Sequence, residues 1–211
     1  MAPSEARNEP RRNPKWHARH QTIVDTSARI FAKRGYHATG IAELCEANEL
    51  GKGALYHYIG SKERLLAAIH DRMMDEVMQS ADRAEQAGGT ATERITRLGD
   101  ELLDIIARYP DHVWVSLHEF SALTGDHERQ YRQRRQEYER RVQAVLQAGI
   151  DNGEFRTVDA RLTSLAWLGM HNYTYRWMKP KGSRAAHEVA TSFADIFLHG
   201  VAGPAQGHGA E

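Results

Sequence analysis

GKGALYHYIGSKERLL, residues 51–66, brings together three glycines, a histidine between two tyrosines, and the cations Lys52, Lys62 and Arg64. Leu55 and Tyr58 are three apart, so on a short helix over 52–58 they share one side, and Tyr56 and His57 fall on the other. Ser61 stands where a helix N-cap belongs, and Leu65, Ile69, Met73 and Val77 then recur every fourth residue, which predicts a long helix to about Gln86. On the other side, NELG at 48–51 breaks a shorter helix whose inward face is Ile41, Leu44 and Cys45 and whose N-cap is expected at Thr39. Before that, Ile23, Ser27, Ile30 and Phe31, with Val24 and Ala28 beside them, form one face of a helix that ends at Gly35. Two short helices joined by a four-residue break and packed on a third make a helix-turn-helix, whose second helix can enter a DNA major groove.

The residues of that second helix suit the task. Gly53 has no side chain, so the backbone there can approach a phosphate or a base edge. The helix start offers unpaired N–H groups and a partial positive charge to an anionic backbone, and Lys52 adds a full charge. The phenol of Tyr56 and the imidazole of His57 can both donate to phosphate oxygens, Lys62 is placed for a further phosphate contact, and Thr39 is expected to turn its hydroxyl outward. Charge distribution agrees. The whole chain is neutral, with 28 basic and 28 acidic residues, but residues 1–64 hold eleven Lys and Arg against seven Asp and Glu, leaving seventeen against twenty-one in the remainder.

From RIFAKRGYHATGIAELCEANELGKGALYHYIGSKERLLAAI outward, about residues 19–70, the sequence resembles the N-terminal segment of the TetR family of bacterial transcription regulators. The most diagnostic part is the glycine, small residue, Leu-Tyr-His-Tyr run closed by Ser-Lys-Glu. The resemblance also implies DNA contacts at Gly51 and Ala54, where the family often has Ser and Thr. Glu49 departs from it too, standing where a turn glycine is common. The missing hydroxyls remove a cap and a phosphate contact, so base preference does not transfer.

Beyond Gly88-Gly89 the periodicity predicts helices near 90–108, 112–123, 127–150, 160–178 and 184–199, separated by Pro110, Gly125, Gly153 and Pro180–Gly182. No stretch alternates at period two. The expected fold is all-α with about nine helices: a flexible basic arm over 1–15, a DNA-binding domain over 16–62, an effector and dimerisation domain over 63–200, and a disordered glycine-rich tail over 201–211.

The resemblance implies a homodimer that binds an operator and a small-molecule effector. The last two helices are apolar on several faces, with Leu162, Leu165, Tyr173, Val189, Phe193, Ile196 and Phe197 suited to a two-fold interface or to burial within one subunit. Met73, Met74, Met78, Trp114, Leu117, Phe120, Tyr138 and Trp167 are candidates for a cavity wall, with plain core as the alternative, and His118 and His171 for a ligand's polar head. GMHNYTYRWMKPKGS, residues 169–183, resembles regulators of steroid and fatty-acid catabolism, which implies an acyl-CoA effector whose phosphates meet Arg176, Lys179 and Lys181.

Other function classes fit less well. His112, His118 and His127 are spaced by six and nine, so no two share a helical face as metal ligands would, and no metal site is expected. Gly-x-Ser-x-Gly, a phosphate-binding glycine loop and His-Glu-x-x-His are absent, so neither an enzyme nor a cofactor is expected. A helical carrier without DNA binding is the surviving alternative. The lone Cys45 excludes an internal disulfide and is expected to be a buried, inert thiol. No secretory signal and no membrane span are expected, which places the protein in the cytoplasm.

Overall fold

The computed structural model describes residues 13–178 and 185–201, and there the chain forms nine α-helices and no strand. They are α1 (Pro14–Arg34), α2 (Ile41–Ala47), α3 (Lys52–Ile59), α4 (Lys62–Gln86), α5 (Ala91–Arg108), α6 (Pro110–His118), α7 (Gly125–Asp151), α8 (Ala160–Asn172) and α9 (Ala186–Val201), with 3-10 turns at Phe120–Ala122 and Tyr173–Arg176.

Local chemistry sets most of the boundaries. Asn13 accepts from the Trp16 N–H at 2.9 Å ahead of Pro14, whose ring suits the first helical turn, so α1 begins inside the segment expected as a free arm. Gly35, at φ +87°, ends it. Ser61 caps α4 by accepting from the Arg64 N–H at 3.0 Å, as expected. Thr90 and Glu93 close a reciprocal capping box on α5. Thr39, by contrast, does not cap α2: the N-cap is Gly40, and the Thr39 hydroxyl turns inward to donate to the Gly35 carbonyl at 2.8 Å. Pro110 does not interrupt a loop but opens α6, which ends at His118, and Gly125 is the first residue of α7. The helix expected over 160–178 divides at Asn172 into α8 and a 3-10 turn. The segments 1–12 and 202–211 and the break at Pro180–Gly182 lie outside the described residues.

α5 is the most strongly amphipathic element. Its stripe of Ile95, Leu98, Leu102, Leu103, Ile105 and Ile106 is buried among α4, α7, α8 and α9. Helices approach closely where side chains vanish: a Cβ on Gly149 would overlap the Phe155 ring and come within 2.8 Å of the Ala91 Cβ. On the solvent side Arg134 of α7 pairs with Asp75 of α4 at 2.6 Å, and Arg141 with Asp82, holding those long helices side by side.

The turn between α2 and α3 closes as a Schellman motif. The Glu49 N–H donates to the Glu46 carbonyl at 3.1 Å and the Leu50 N–H to the Cys45 carbonyl at 2.9 Å, which requires a left-handed residue at 49. Glu49 has φ +53°, and it is the one non-glycine residue with positive φ among those described. Arg19 and the Asn48 side chain pin the turn from either side, donating to the Asn48 and Leu44 carbonyls at 2.6 and 2.8 Å. A non-glycine residue in this region carries about 1–2 kcal/mol of strain, partly offset in Glu49→Gly by a looser unfolded chain. Glu49→Gly is therefore expected to raise stability by up to about 1 kcal/mol in urea unfolding. A loss would mean that the glutamate side chain makes a compensating contact.

Candidate DNA-binding face and effector cavity

α3 buries Leu55 and Ile59 and exposes Gly51, Lys52, Gly53, Ala54 and His57. Tyr56 is also exposed, at 37% of its surface. No side chain caps its N-terminus, and a Cβ at Gly51 or Gly53 would meet nothing within 4 Å, so the first turn is open to a partner. Tyr58, expected inward, is half-buried and stacks on Trp16 with ring centroids 5.6 Å apart. Cys45 is likewise half-buried rather than sealed.

Two phosphate candidates are placed differently from the sequence reading. Thr39 is buried, so its hydroxyl does not face outward. Lys62 is half-buried with Nζ 4.3 Å from the centre of the Tyr36 ring, and desolvation there draws its ammonium down from the ordinary lysine range against the opposing charge of Glu119. Tyr36 is the residue that sequence reasoning missed: it gives Lys62 an aromatic face, and its backbone N–H donates to Glu119 Oε1 at 3.0 Å.

Glu119 follows α6, and that helix grips the α1–α3 unit at both ends. Near its start, the Asp25 carboxylate of α1 lies 3.1 Å from His112 Nε2 and 3.0 Å from Arg72 Nε of α4. Burial lowers the His112 imidazole from its usual range, while Asp25 opposes that shift. Beyond the end of α6, Thr124 donates to Glu63 at the start of α4.

The face of α6 that carries Val113, Ser116 and Leu117 borders a cavity of about 90 Å³. Its walls are Met73, Met74 and Val77 of α4, Leu102 of α5, Val113, Ser116 and Leu117 of α6, Tyr131, Arg135, Tyr138 and Glu139 of α7, and Leu168 and Asn172 of α8. Of the ten effector candidates, Met73, Met74, Leu117 and Tyr138 line it. Met78 packs half-buried against the core. Phe120 lies in a neighbouring groove of about 180 Å³ with Arg132 and Arg135. Trp114 and His118 stack on each other 4.5 Å apart, away from the cavity, with Tyr175 Oη 3.0 Å from His118 Nε2. Trp167 and His171 are core residues: the His171 ring lies 4.1 Å from Trp167 and its Nε2 would be 2.7 Å from a Cβ on Gly99.

α8 and α9 carry an apolar surface. Leu162, Leu165, Tyr173 and Ile196 are exposed, joined by Trp177, which sequence reasoning missed. Phe193 and Phe197 are half-buried. Val189 is buried within its own subunit, on a helix that packs closely on α5. Arg176 is exposed in the 3-10 turn, and Lys179 and Lys181 lie outside the described residues.

A family model for bacterial regulatory proteins of the tetR family matches residues 23–69, and one for the tetracyclin repressor-like C-terminal domain matches residues 88–201. The chain belongs to the TetR family. It is 28% identical over 201 residues to the HTH-type transcriptional repressor KstR2 of Rhodococcus jostii, covering 88% of this chain and 92% of that one. The crystal structure of the TetR regulator PfmR from Thermus thermophilus is 29% identical with a TM-score of 0.79, over 84% of this chain and 97% of that one. That of AibR in complex with isovaleryl coenzyme A and operator DNA is 28% identical with a TM-score of 0.77, over the same shares. These TetR-family relatives are regulators rather than enzymes. Among the described residues no helix is long and apolar enough to cross a membrane.

Two buried histidines give this TetR-family fold an acid-sensitive core. Burial lowers His70 and His171 to about 4, against the opposing pull of the Leu66 and Trp167 carbonyls that their Nδ1–H groups bond at 2.8 Å. The unfolded chain takes up these protons near pH 6.5, so it binds more protons than the native state between about 6.5 and 4. Stability held above pH 6.5 is therefore lost as pH falls toward 4, at up to about 1.4 kcal/mol per pH unit for each histidine. Urea titrations across that window are expected to show this slope, reduced by about one proton in His171→Gln; an unchanged slope contradicts it.

Proposed function

We propose that the chain is a cytoplasmic, dimeric repressor that holds a two-fold operator through paired copies of α3 and releases it when a small amphiphile of the acyl-thioester class occupies the cavity. The boundary between the reading unit, residues 16–62, and the effector unit, residues 63–200, then falls in the first turn of α4. The observation that carries this reading is the double role of α6. One face of that helix is cavity wall, through Val113, Ser116 and Leu117, and its ends hold the DNA-binding unit through His112–Asp25 and Glu119–Tyr36. A ligand that pushes α6 and α4 apart therefore moves α1 and α3, provided it binds the two states unequally.

Two further features support it. Leu162, Leu165, Tyr173 and Ile196 leave an apolar face that a two-fold partner would cover, and two recognition helices about 34–36 Å apart would then read adjacent turns of a duplex. The similarity to AibR, whose structure holds isovaleryl coenzyme A and operator DNA, favours a thioester effector. At about 90 Å³ the cavity is far smaller than the roughly 300–1,000 Å³ of ordinary ligand sites, so a compact acyl group fits this reading better than a long chain.

Fluorescence anisotropy with the DNA flanking the protein's own gene tests the proposal. The purified protein is expected to bind it, and a short-chain acyl-CoA to weaken the complex by roughly 5–150-fold. Lys52→Glu should weaken binding to every duplex and reduce the salt slope by about one or more. DNA affinity indifferent to Lys52→Glu would favour a carrier that does not use α3.

A further inference from the structure

The cavity is walled mostly by hydrocarbon, yet two of its lining residues carry a buried hydroxyl. Ser116 Oγ of α6 and Tyr138 Oη of α7 are both sealed from solvent, and neither has a hydrogen-bond partner among the described residues. Their neighbour Tyr131 differs, since its hydroxyl donates to the Ser116 carbonyl at 2.7 Å. An unpaired buried hydroxyl costs free energy that Phe at 138 or Ala at 116 would avoid. Two such groups, on two different helices lining one small cavity, are paired most simply by an atom that enters it. Burial and the nearby charge of Glu101 raise the Tyr138 phenol, so its proton stays on and it acts as a donor. Arg135 and Glu139 line both the cavity and the groove beside it, marking the side where the charged part of a ligand would emerge.

We propose that Tyr138 and Ser116 select an oxygenated effector: a compact acyl or alicyclic group whose keto or hydroxyl oxygen accepts from Tyr138 and shares a hydrogen bond with Ser116. The inference rests on reading this cavity as the effector site. A plain hydrocarbon group of the same size leaves both hydroxyls unpaired. Sites built to bond an oxygen discriminate strongly against analogues that lack it, whereas apolar pockets distinguish single methylenes only weakly.

Calorimetric titration of the full chain with acetoacetyl-CoA and butyryl-CoA tests this. The wild type is expected to bind acetoacetyl-CoA at least about tenfold more tightly. In Tyr138→Phe combined with Ser116→Ala the preference should fall to within about threefold, through weaker acetoacetyl-CoA binding, while butyryl-CoA binds as well as before or better. Equal binding by the wild type, or a preference that survives both substitutions, overturns the proposal. If neither thioester binds, the acyl-thioester reading fails on its own, and cyclohexanone against methylenecyclohexane, followed by NMR at the Met73 and Met74 methyls, takes over. Selective ketone binding that Tyr138→Phe abolishes supports the proposal; equal binding of the hydrocarbon, or no binding of either, overturns it. Tyr138→Phe removes an unsatisfied atom and keeps the ring, so its melting temperature should match or exceed the wild type.

Discussion

Glu119 accepting from the backbone N–H of Tyr36 at 3.0 Å is the contact on which the rest of the functional arrangement depends. It joins residues far apart in the chain, at the end of α6 and just past the end of α1. A carboxylate bond to a backbone N–H is short, directional and indifferent to the rotamer of Tyr36 itself. The same Glu119 charge faces the ammonium of Lys62, which rests on the Tyr36 ring. Together with Asp25, which faces His112 and Arg72, it fixes α6 to the DNA-binding unit at both ends. A short helix held in this way moves as a rigid piece, because packed cores repack between discrete arrangements rather than deforming continuously.

That attachment makes α6 a second route from the cavity to α3, alongside α4. α4 contributes Met73, Met74 and Val77 to the cavity, and its N-cap at Ser61 adjoins the end of α3. Its far side is held by Arg134 and Arg141 of α7. α6 is only nine residues long and carries a polar anchor at each end, so a displacement of Val113 or Leu117 has a short path to α1. A small cavity, rather than a wide tunnel, suits such a lever: a group that wedges its walls apart makes small shifts that are amplified where the helix meets the DNA-binding unit.

The α3 segment was legible in the sequence because its signal is local. Leu55 turns inward, Tyr56 and His57 turn out, and Ser61 caps the next helix, all within seven residues whose helical spacing can be counted, although the second inward position falls to Ile59 rather than to Tyr58. The cavity was only partly legible because its walls come from five helices. The methionines of α4 announced one wall, but Ser116, Tyr131 and Arg135 become neighbours only through packing. On α6 the register decided the outcome: Val113, Ser116 and Leu117 share one face, while Trp114 and His118, four apart, share another and stack together instead. On α9 the sequence grouped buried Val189 with exposed Ile196, because periodicity alone does not say which neighbour covers each apolar residue. Thr39 was misplaced by one position, since Gly40 takes the cap and leaves the threonine hydroxyl to close the turn behind it.

The central claim is that α6 transmits occupancy of the cavity to the DNA-binding unit through Glu119, and the direct measurement is the coupling between the two ligands. Operator affinity would be determined with and without saturating effector for the wild type and for Glu119→Ala, with effector affinity measured separately in each. Loss of most of the wild-type coupling in Glu119→Ala, with DNA and effector each still bound, is the result expected. Full coupling in Glu119→Ala would contradict transmission through α6 and leave α4 as the sole connection.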